Sequence, residues 1–168
     1  MQVDRSSLFG DAAKRERPEA QIFHHSFPAD PLSVRTALRA AVARFMRQLT
    51  ADEAGTLELI LAEVLNNIVE HSYGEDAVGT ITLSMVRDRR GLSCSVSDDG
   101  VPLPMDCLRT PDPGASPRPE PTAFPEGGFG WFLIRDLAED LGYRRENERN
   151  LLAFRLPLGV AGQDTQVS

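Results

Sequence analysis

The spacing of the apolar residues changes its period along this chain, and this change limits the folds available to it. Over residues 31–50 the apolar positions recur every three or four residues, which is the helical period: Val34, Leu38, Ala41, Val42, Phe45 and Leu49. Over residues 79–97 they alternate instead, at Ile81, Leu83 and Met85 and then at Leu92, Cys94 and Val96. A polar turn at residues 88–91 separates these two runs. We therefore expect helices followed by an antiparallel hairpin that buries one face.

Signals at the ends of segments place the other early elements. Residues 20–27 have the composition of a β-strand. Asp30 can cap a helix that begins with Pro31 and reaches about residue 50. A second helix is predicted over residues 52–72, so two helices precede the hairpin.

The sequence pattern after residue 128 predicts one more helix and two more strands. The helix spans about residues 129–141 and ends at Gly142. The strands cover residues 143–146 and 151–156, with a polar turn between them. The whole pattern predicts an α/β (α+β) two-layer sandwich, in which helices pack on one face of a mixed, mostly antiparallel sheet.

The chain has 168 residues, which is the size of one domain. We place that domain at residues 20–158, between a loosely ordered N-terminal tail at 1–19 and a C-terminal tail at 159–168. Residues 101–127 contain eight of the 12 prolines. Because connections of this length are uncommon in a compact domain unless they form a lid or binding loop, we interpret this segment as a lid.

Charge and composition exclude several classes of function. A formal net charge of −7 disfavours direct binding to a nucleic-acid backbone. No apolar run approaches the ~20 residues of a membrane span, and the N-terminus is too polar for a secretion signal. The two cysteines, Cys94 and Cys107, have no metal-site or disulfide spacing. We expect a soluble cytoplasmic protein whose partner is another protein or a metal-complexed nucleotide.

The second predicted helix carries a polar stripe opposite its apolar one. Glu63, Asn67 and His71 are four residues apart and share a helical face. Water alone could cover such a stripe, but Asn66 and Asn67 are poor helix formers at a mid-helix position. A carboxamide oxygen suits Mg²⁺, and a carboxylate one turn away could orient or deprotonate an attacking hydroxyl. This helix is therefore our first candidate for a ligand-binding element.

The turn at residues 98–100 is the second candidate. The alternation of the hairpin places Asp98 on its inward side, where an unpaired carboxylate would cost several kcal/mol. Asp98 therefore requires a partner, which could be a ligand or simply the backbone of its own turn. Gly100 permits either a positive φ or the close approach of a ligand.

A glycine-rich segment, Glu-Gly-Gly-Phe-Gly at residues 126–130, opens the third helix. The N-terminus of a helix presents free backbone N–H groups that favour phosphate. The segment lacks the Gly-Lys-Ser/Thr of a Walker loop, and Leu133 stands where a Rossmann motif would have its third glycine. Glycines before a helix can also merely form a tight turn.

Taken in order, the three motifs resemble the N, G1 and G2 boxes of the GHKL ATPase superfamily. The matching segments are Glu63 to His71, residues 96–102 and residues 126–134. Over about residues 20–158 the chain is most similar to the bacterial anti-sigma-factor serine/threonine kinases. The resemblance implies a Bergerat-type fold, ATP and Mg²⁺ as cofactors, and a cytoplasmic regulator that sequesters a sigma factor. It further implies phosphorylation of a serine or threonine on an anti-sigma antagonist of the STAS type.

The resemblance also implies a role for each residue of the boxes. Asn67 would coordinate Mg²⁺, and Glu63 would be the catalytic base. Asp98 would accept a hydrogen bond from the adenine amino group, in a pocket shaped by Gly100. The loop formed by Gly128, Phe129 and Gly130 would contact the phosphates. Members of this group commonly form homodimers, and the sequence leaves the oligomeric state open.

Three positions depart from the usual pattern of the group or extend it. Pro102 occupies a position where many members have glycine, so lid closure is less well supported. Trp131 replaces an aliphatic residue and could pack under the nucleotide or belong to the core. Arg118 is the one basic residue between Arg109 and Arg135, which makes it a candidate phosphate contact or an ordinary exposed arginine.

Other functions compatible with the three boxes remain as alternatives. The chain could be a non-catalytic partner-switching module that binds a sigma factor or antagonist, with nucleotide structural or absent. A histidine-kinase catalytic domain fits less well, because His24 and His25 fall in a predicted strand and no phosphoacceptor helical hairpin precedes the boxes. A gyrase-type or chaperone-type ATPase would need transducer domains that a chain of 168 residues does not accommodate.

Overall fold

The computed structural model describes residues 21–73, 78–104 and 128–159. The predicted tails at 1–19 and beyond 159 lie outside the described residues, as does the predicted lid after residue 104, including Arg118. The elements are β1 (Gln21–Pro28), α1 (Pro31–Phe45) with a 3₁₀ turn at Met46–Gln48, α2 (Ala51–Ser72), β2 (Thr80–Asp88), β3 (Gly91–Asp98), α3 (Gly128–Leu137), β4 (Glu139–Glu146) and β5 (Arg149–Leu156).

Side-chain caps fix the starts of the first two helices. The Asp30 carboxylate accepts hydrogen bonds from the backbone N–H groups of Leu32 and Ser33, as predicted for a cap of α1. Thr50 and Glu53 form a reciprocal capping box at the start of α2. Because Thr50 must be extended to act as this cap, helix α1 cannot reach it, and our prediction of its end at about residue 50 is wrong.

The five strands form one sheet in the order β1-β2-β3-β5-β4. Every pairing between these described strands is antiparallel. The predicted two-layer sandwich with a mostly antiparallel sheet is thus confirmed, and the described pairs include no parallel one. Strand β3 lies at the centre, so that Asp98 at its end is paired with Ile81 of β2 and Asn150 of β5.

One face of the sheet packs against the helices and forms the core. Its buried apolar strand residues are Phe27, Ile81, Leu83, Met85, Leu92, Cys94, Val96, Leu152, Phe154 and Leu156. The apolar stripe of α2 faces them with Leu57, Ile60, Leu61, Val64, Leu65 and Ile68, all fully buried. The predicted alternation and helical stripe are therefore both confirmed. No helix in the described part of the chain is long and apolar enough to cross a bilayer.

The third helix is shorter than its apolar spacing predicts. It ends at Leu137, and β4 begins at Glu139, so the predicted helix to residue 141 is wrong at its C-terminal end. The chain turns at Asp140, whose φ of 52° lies in the left-handed region. Leu141 still contributes to the core, but it does so from a strand that pairs with β5.

Candidate functional site

The polar stripe of α2 contains one buried asparagine. Asn67 is 4% exposed, whereas Asn66 is exposed and needs no explanation beyond contact with water. The Nδ2 atom of Asn67 has no hydrogen-bond partner among the described residues. An unsatisfied buried donor costs about 1–3 kcal/mol, which makes Asn67 Nδ2 a candidate contact for a ligand or a bound water.

This amide fits the proposed magnesium ligand by its chemistry. Rotation by 180° about the last side-chain bond exchanges its nitrogen and oxygen, so either a donor or an acceptor can face the unpartnered position. Within the described residues, no group of three or more His, Cys, Asp or Glu side chains is placed to hold a metal ion. Mg²⁺ at Asn67 would therefore take its other ligands from phosphate oxygens and water, as this ion commonly does.

The start of α3 lies directly against Glu63 and Asn67. A methyl group added at Gly130 would overlap Glu63 Oε2 and lie 3.2 Å from Asn67 Nδ2. A larger residue at position 130 would force the end of the Glu63 side chain to move, so close approach favours glycine here. Gly130 thus brings the first and third motifs of the sequence prediction, Glu63/Asn67 and the glycine loop, into contact. Helix α3 begins at Gly128, so the end of the glycine-rich segment forms a helix N-terminus, as predicted. A helix N-terminus offers free backbone N–H groups. The side chain of Phe129 lies outside the described residues.

Trp131 follows this glycine and belongs to the core. It is 2% exposed and packs within the buried apolar cluster. Its indole Nε1 has no hydrogen-bond partner among the described residues. Of the two interpretations of Trp131 from the sequence, the core position is the one the fold supports. His71, at the exposed end of the polar stripe, is solvent-accessible.

Asp98 is buried at the end of β3, as the alternation predicts. Its side chain is 1% exposed, and Oδ1 accepts hydrogen bonds from the Gly100 backbone N–H at 2.9 Å and from Asn150 Nδ2 at 2.8 Å. Burial raises the pKa of Asp98 above its ordinary value, although both hydrogen bonds act in the opposite direction. The protein thus supplies partners that the sequence prediction had assigned to a ligand or to the turn alone.

Asn150 is a site residue that the prediction missed. Its Nδ2 also donates to the Val101 carbonyl at 2.9 Å, and its Oδ1 accepts from Tyr143 Oη and from Arg145 Nη1, both at 2.7 Å. A signal for it was present, because the inward alternation of Leu156, Phe154 and Leu152 continues to residue 150. The alternation could have identified Asn150 as an inward polar residue, as it identified Asp98, but only the strand order shows that the two residues are paired.

Two side chains of β4 extend this network over the chain that leaves β3. Arg145 Nη1 donates to the Gly100 carbonyl at 2.9 Å. The Tyr143 hydroxyl accepts from the Leu103 backbone N–H at 3.2 Å. The first residues of the predicted lid are therefore attached to β4 and β5 by hydrogen bonds.

The turn after β3 also docks on the C-terminal end of α2. The Val101 backbone N–H donates to the Ser72 carbonyl at 2.9 Å. A methyl group at Gly100 would overlap that same carbonyl oxygen. Gly100 does not have a positive φ, so that predicted reason for the glycine does not apply. The group that approaches it is the Ser72 carbonyl of the protein itself, and the predicted approach of a ligand stays a prediction. Ser72 Oγ is buried without a hydrogen-bond partner among the described residues.

All three motifs consequently meet on one helix. Gly130 contacts the middle of α2, and the turn at residues 98–101 contacts its last turn. Asn67 and Ser72 are separated by roughly 7.5 Å along the helix axis. Arg118 lies outside the described residues, so its predicted phosphate contact stays a prediction.

Comparisons with known proteins place the sequence among relatives of one domain family. The sequence model of the family described as "Histidine kinase-like ATPase domain" matches residues 27–156. The chain is 26% identical over 105 residues to the anti-sigma F factor of Geobacillus stearothermophilus, a match that covers 61% of the chain and 69% of that protein. It is 28% identical over 101 residues to the serine-protein kinase RsbW of Halalkalibacterium halodurans, covering 58% of the chain and 59% of that kinase.

A relative of another kind matches the same region. The chain is 29% identical over 109 residues to the blue-light-activated histidine kinase 2 of Erythrobacter litoralis. This match covers 64% of the chain but only 28% of that kinase. The segment shared with the larger protein is therefore an ATPase-like domain and not the whole of its length.

Proposed function

The chain belongs to the histidine kinase-like ATPase domain family, and on this basis we propose that it is an ATP-dependent serine/threonine-protein kinase and an anti-sigma regulatory factor. Its cofactors in this proposal are ATP and Mg²⁺. Its partners are a sigma factor, which it sequesters, and a STAS-type anti-sigma antagonist, which it phosphorylates in the cytoplasm. The relatives named anti-sigma F factor and serine-protein kinase support this choice.

The observation that carries the proposal is the meeting of three separate motifs on α2. A surface helix requires neither a buried asparagine with an unpartnered amide nor a glycine pressed against that amide and a carboxylate. A nucleotide requires both, because its phosphates need backbone N–H groups and a cation, and its base needs a polar group at the far end of the pocket. The docked turn with buried Asp98 supplies that polar group.

Each residue takes one role in this proposal. Asp98 and Gly100 hold the adenine, and Gly128, Phe129, Gly130 and Arg118 contact the phosphates. Asn67 is the protein ligand of Mg²⁺, which when bound neutralises phosphate charge. Glu63 accepts the proton of the serine or threonine hydroxyl while that oxygen bonds to the γ-phosphorus. The bond between the γ-phosphorus and the bridging oxygen breaks, and ADP leaves with that oxygen.

Transfer of labelled γ-phosphate from ATP to a purified STAS-type antagonist tests the proposal. We expect Glu63→Gln to lower the rate by about 100-fold or more, within the range for a lost general base, while ATP binding is kept. Glu58→Gln is the matched control, because Glu58 is an exposed glutamate on the same helix. A wild-type protein that binds Mg·ATP and the antagonist but transfers no phosphate would contradict the kinase proposal.

One observation favours a second candidate function, the non-catalytic binding module. Asp98 already has two protein donors, so the turn can be satisfied without a nucleotide. In that case the protein would hold a sigma factor or antagonist, and nucleotide would be structural or absent. Calorimetric titration separates the two functions: undetectable Mg·ATP binding, together with an Asp98→Asn variant that still binds its partner normally, identifies the binding module.

A further inference from the structure

Tyr73 immediately follows α2 and lies close to the turn after β3. Its side chain is 8% exposed. The Tyr73 hydroxyl donates to Asp99 Oδ1 at 2.5 Å and accepts from the Asp99 backbone N–H at 3.1 Å. Both the main chain and the side chain of Asp99 are thus held by one hydroxyl group.

Asp99 connects this tyrosine to the start of β2. Its Oδ1 also accepts from the Thr80 backbone N–H at 3.0 Å. The hydrogen bond from Tyr73 is the largest cause that lowers the pKa of Asp99, and burial is the largest cause that raises the pKa of Tyr73. At neutral pH the phenol is therefore protonated and the carboxylate ionised, which is the combination in which the phenol donates.

The backbone at Gly79 packs directly against the ring of Tyr73. A methyl group at this position would overlap Tyr73 Cε1 and lie 2.5 Å from Cζ. No side chain fits there without moving the ring, so the backbone at Gly79 fixes the direction in which the hydroxyl points. The glycine, the tyrosine and Asp99 together form one unit, which we call the Tyr73 clasp.

Among the described residues, the Tyr73 clasp adds to another attachment between the end of α2 and the turn. That attachment is the backbone hydrogen bond from Val101 to Ser72. Asp98 lies directly before Asp99, and Asn67 lies on the helix that the clasp holds. The clasp therefore ties Asp99, the residue that follows Asp98, to the end of the helix that carries Asn67, and it contributes to the spacing of the two side chains.

We propose that Tyr73 and Asp99 are positioning residues that set the preference of the site for adenine. This inference rests on the proposed nucleotide binding, in which Asp98 accepts a hydrogen bond from the adenine amino group. A hydrogen bond to a buried carboxylate depends strongly on distance and angle. If the turn is free to move relative to α2, that hydrogen bond is lost, while contacts to the phosphates at Asn67 and α3 remain.

The test compares ATP with purine riboside triphosphate, which lacks the 6-amino group, as ligands of the full chain in the presence of Mg²⁺. We expect Tyr73→Phe, which keeps the ring on Gly79 and removes the hydroxyl, to weaken ATP binding about tenfold. Binding of purine riboside triphosphate should change less than about twofold, because it makes no such hydrogen bond. The variant should therefore lose most of the preference for ATP.

Two further variants separate positioning from a general loss of stability. Thr82→Val removes a hydroxyl that pairs with Ser26 Oγ on the other face of the sheet, so the ratio of the two affinities should not change. Asp99→Asn keeps an oxygen that can accept from Tyr73 and Thr80, and it should retain part of the ATP preference.

An equal weakening of both nucleotides in Tyr73→Phe, or an unchanged preference for ATP, would overturn the positioning role alone. A wild-type protein that binds neither nucleotide would overturn the inference together with the proposed function. A wild-type protein that binds both equally well would overturn the adenine contact of Asp98 on which the inference depends.

Discussion

At the scale of a single residue, the Asn67 side chain lowers the stability of the ligand-free fold. It is buried, it lies between α2 and the start of α3, and its Nδ2 has no partner among the described residues. A well-packed apolar side chain of similar volume would satisfy this environment better. Retaining an amide here is expected of a residue whose partner is a ligand.

The first prediction follows for Asn67→Leu. We expect this variant to unfold at a temperature a few degrees higher than the wild type, because removing an unsatisfied buried polar group gains about 1 kcal/mol. We expect it to lose Mg²⁺-dependent ATP binding. Thermal unfolding and nucleotide titration measure the two effects, and a variant that is both less stable and still able to bind Mg·ATP would contradict the assignment.

Asp98 makes the stability of the protein depend on pH in a direction that can be measured. Because burial raises its pKa, the folded state binds this proton more tightly than the unfolded state, whose ordinary value is 3.8. Its contribution to stability is fully present below pH 3.8 and is lost as the pH rises through the raised value. The lowered pKa of Asp99 acts oppositely, giving stability above pH 3.8 that is lost only in stronger acid.

The second prediction concerns Asp98→Asn, which carries no proton to lose. The free energy of unfolding of the variant, minus that of the wild type, should increase between pH 4 and pH 7. Asp99 is present in both proteins, so its own pH dependence cancels in the difference. Urea unfolding at several pH values measures this quantity, and a constant difference would show that Asp98 is not affected by its burial.

At the scale of elements, the glycines of α2 and α3 lie in different surroundings. Gly130 lies in the first turn of α3, where an added methyl group would overlap Glu63 Oε2 and crowd Asn67 Nδ2. A methyl group added at Gly55 of α2 would have no atom within 4 Å. Both lie in helices, where glycine is less favourable than alanine by about 1 kcal/mol. The same substitution should therefore have different consequences at the two positions.

The third prediction compares Gly130→Ala with Gly55→Ala. The alanine at residue 55 should stabilise the protein by about 0.5–1 kcal/mol and leave nucleotide affinity unchanged. The alanine at residue 130 should displace Glu63 and Asn67 and weaken Mg·ATP binding by about tenfold or more. Chemical denaturation and calorimetry provide both values, and equal affinities for the two variants would mean that the contact at Gly130 does not shape the site.

Helices and strands whose apolar residues follow one clear period were predictable from the sequence. Features that depend on which strands pair with each other were not. The apolar stripe of α2 and the alternation of β2 and β3 each indicate one structure. The spacing of Leu133, Leu137 and Leu141 also fits a helix, yet the last of these lies in β4, whose residues on either side of it pair with β5. Asn150 was missed for a related reason, since its importance comes from Asp98 on the neighbouring strand.

At the scale of the whole molecule, the site is formed by residues that lie far apart in the sequence. Its described residues come from α2, β3, α3, β4 and β5, so a ligand held between them stabilises the native state as a unit. The three sequence motifs predicted the contributions of α2, β3 and α3. Those of β4 and β5 required the strand order, in which β5 lies beside β3 although 50 residues separate Gly100 from Asn150.

The fourth prediction is a thermal shift on ligand binding. At a free Mg·ATP concentration of about 100 times its dissociation constant, the native state gains about 2.7 kcal/mol. For a chain of this length this gain corresponds to roughly 5–10 °C in the unfolding temperature. The shift should be absent in Asn67→Leu and smaller when EDTA removes Mg²⁺, and an equal shift in all three conditions would place the ligand elsewhere.

Trp131 gives this molecule an optical property. It is the one tryptophan in the sequence, and it is buried next to Gly130. An indole shielded from water emits at shorter wavelengths than a hydrated one, so the intrinsic emission of the protein reports on a single place, the start of α3. Rearrangement of that place can therefore be followed in time without attaching any dye.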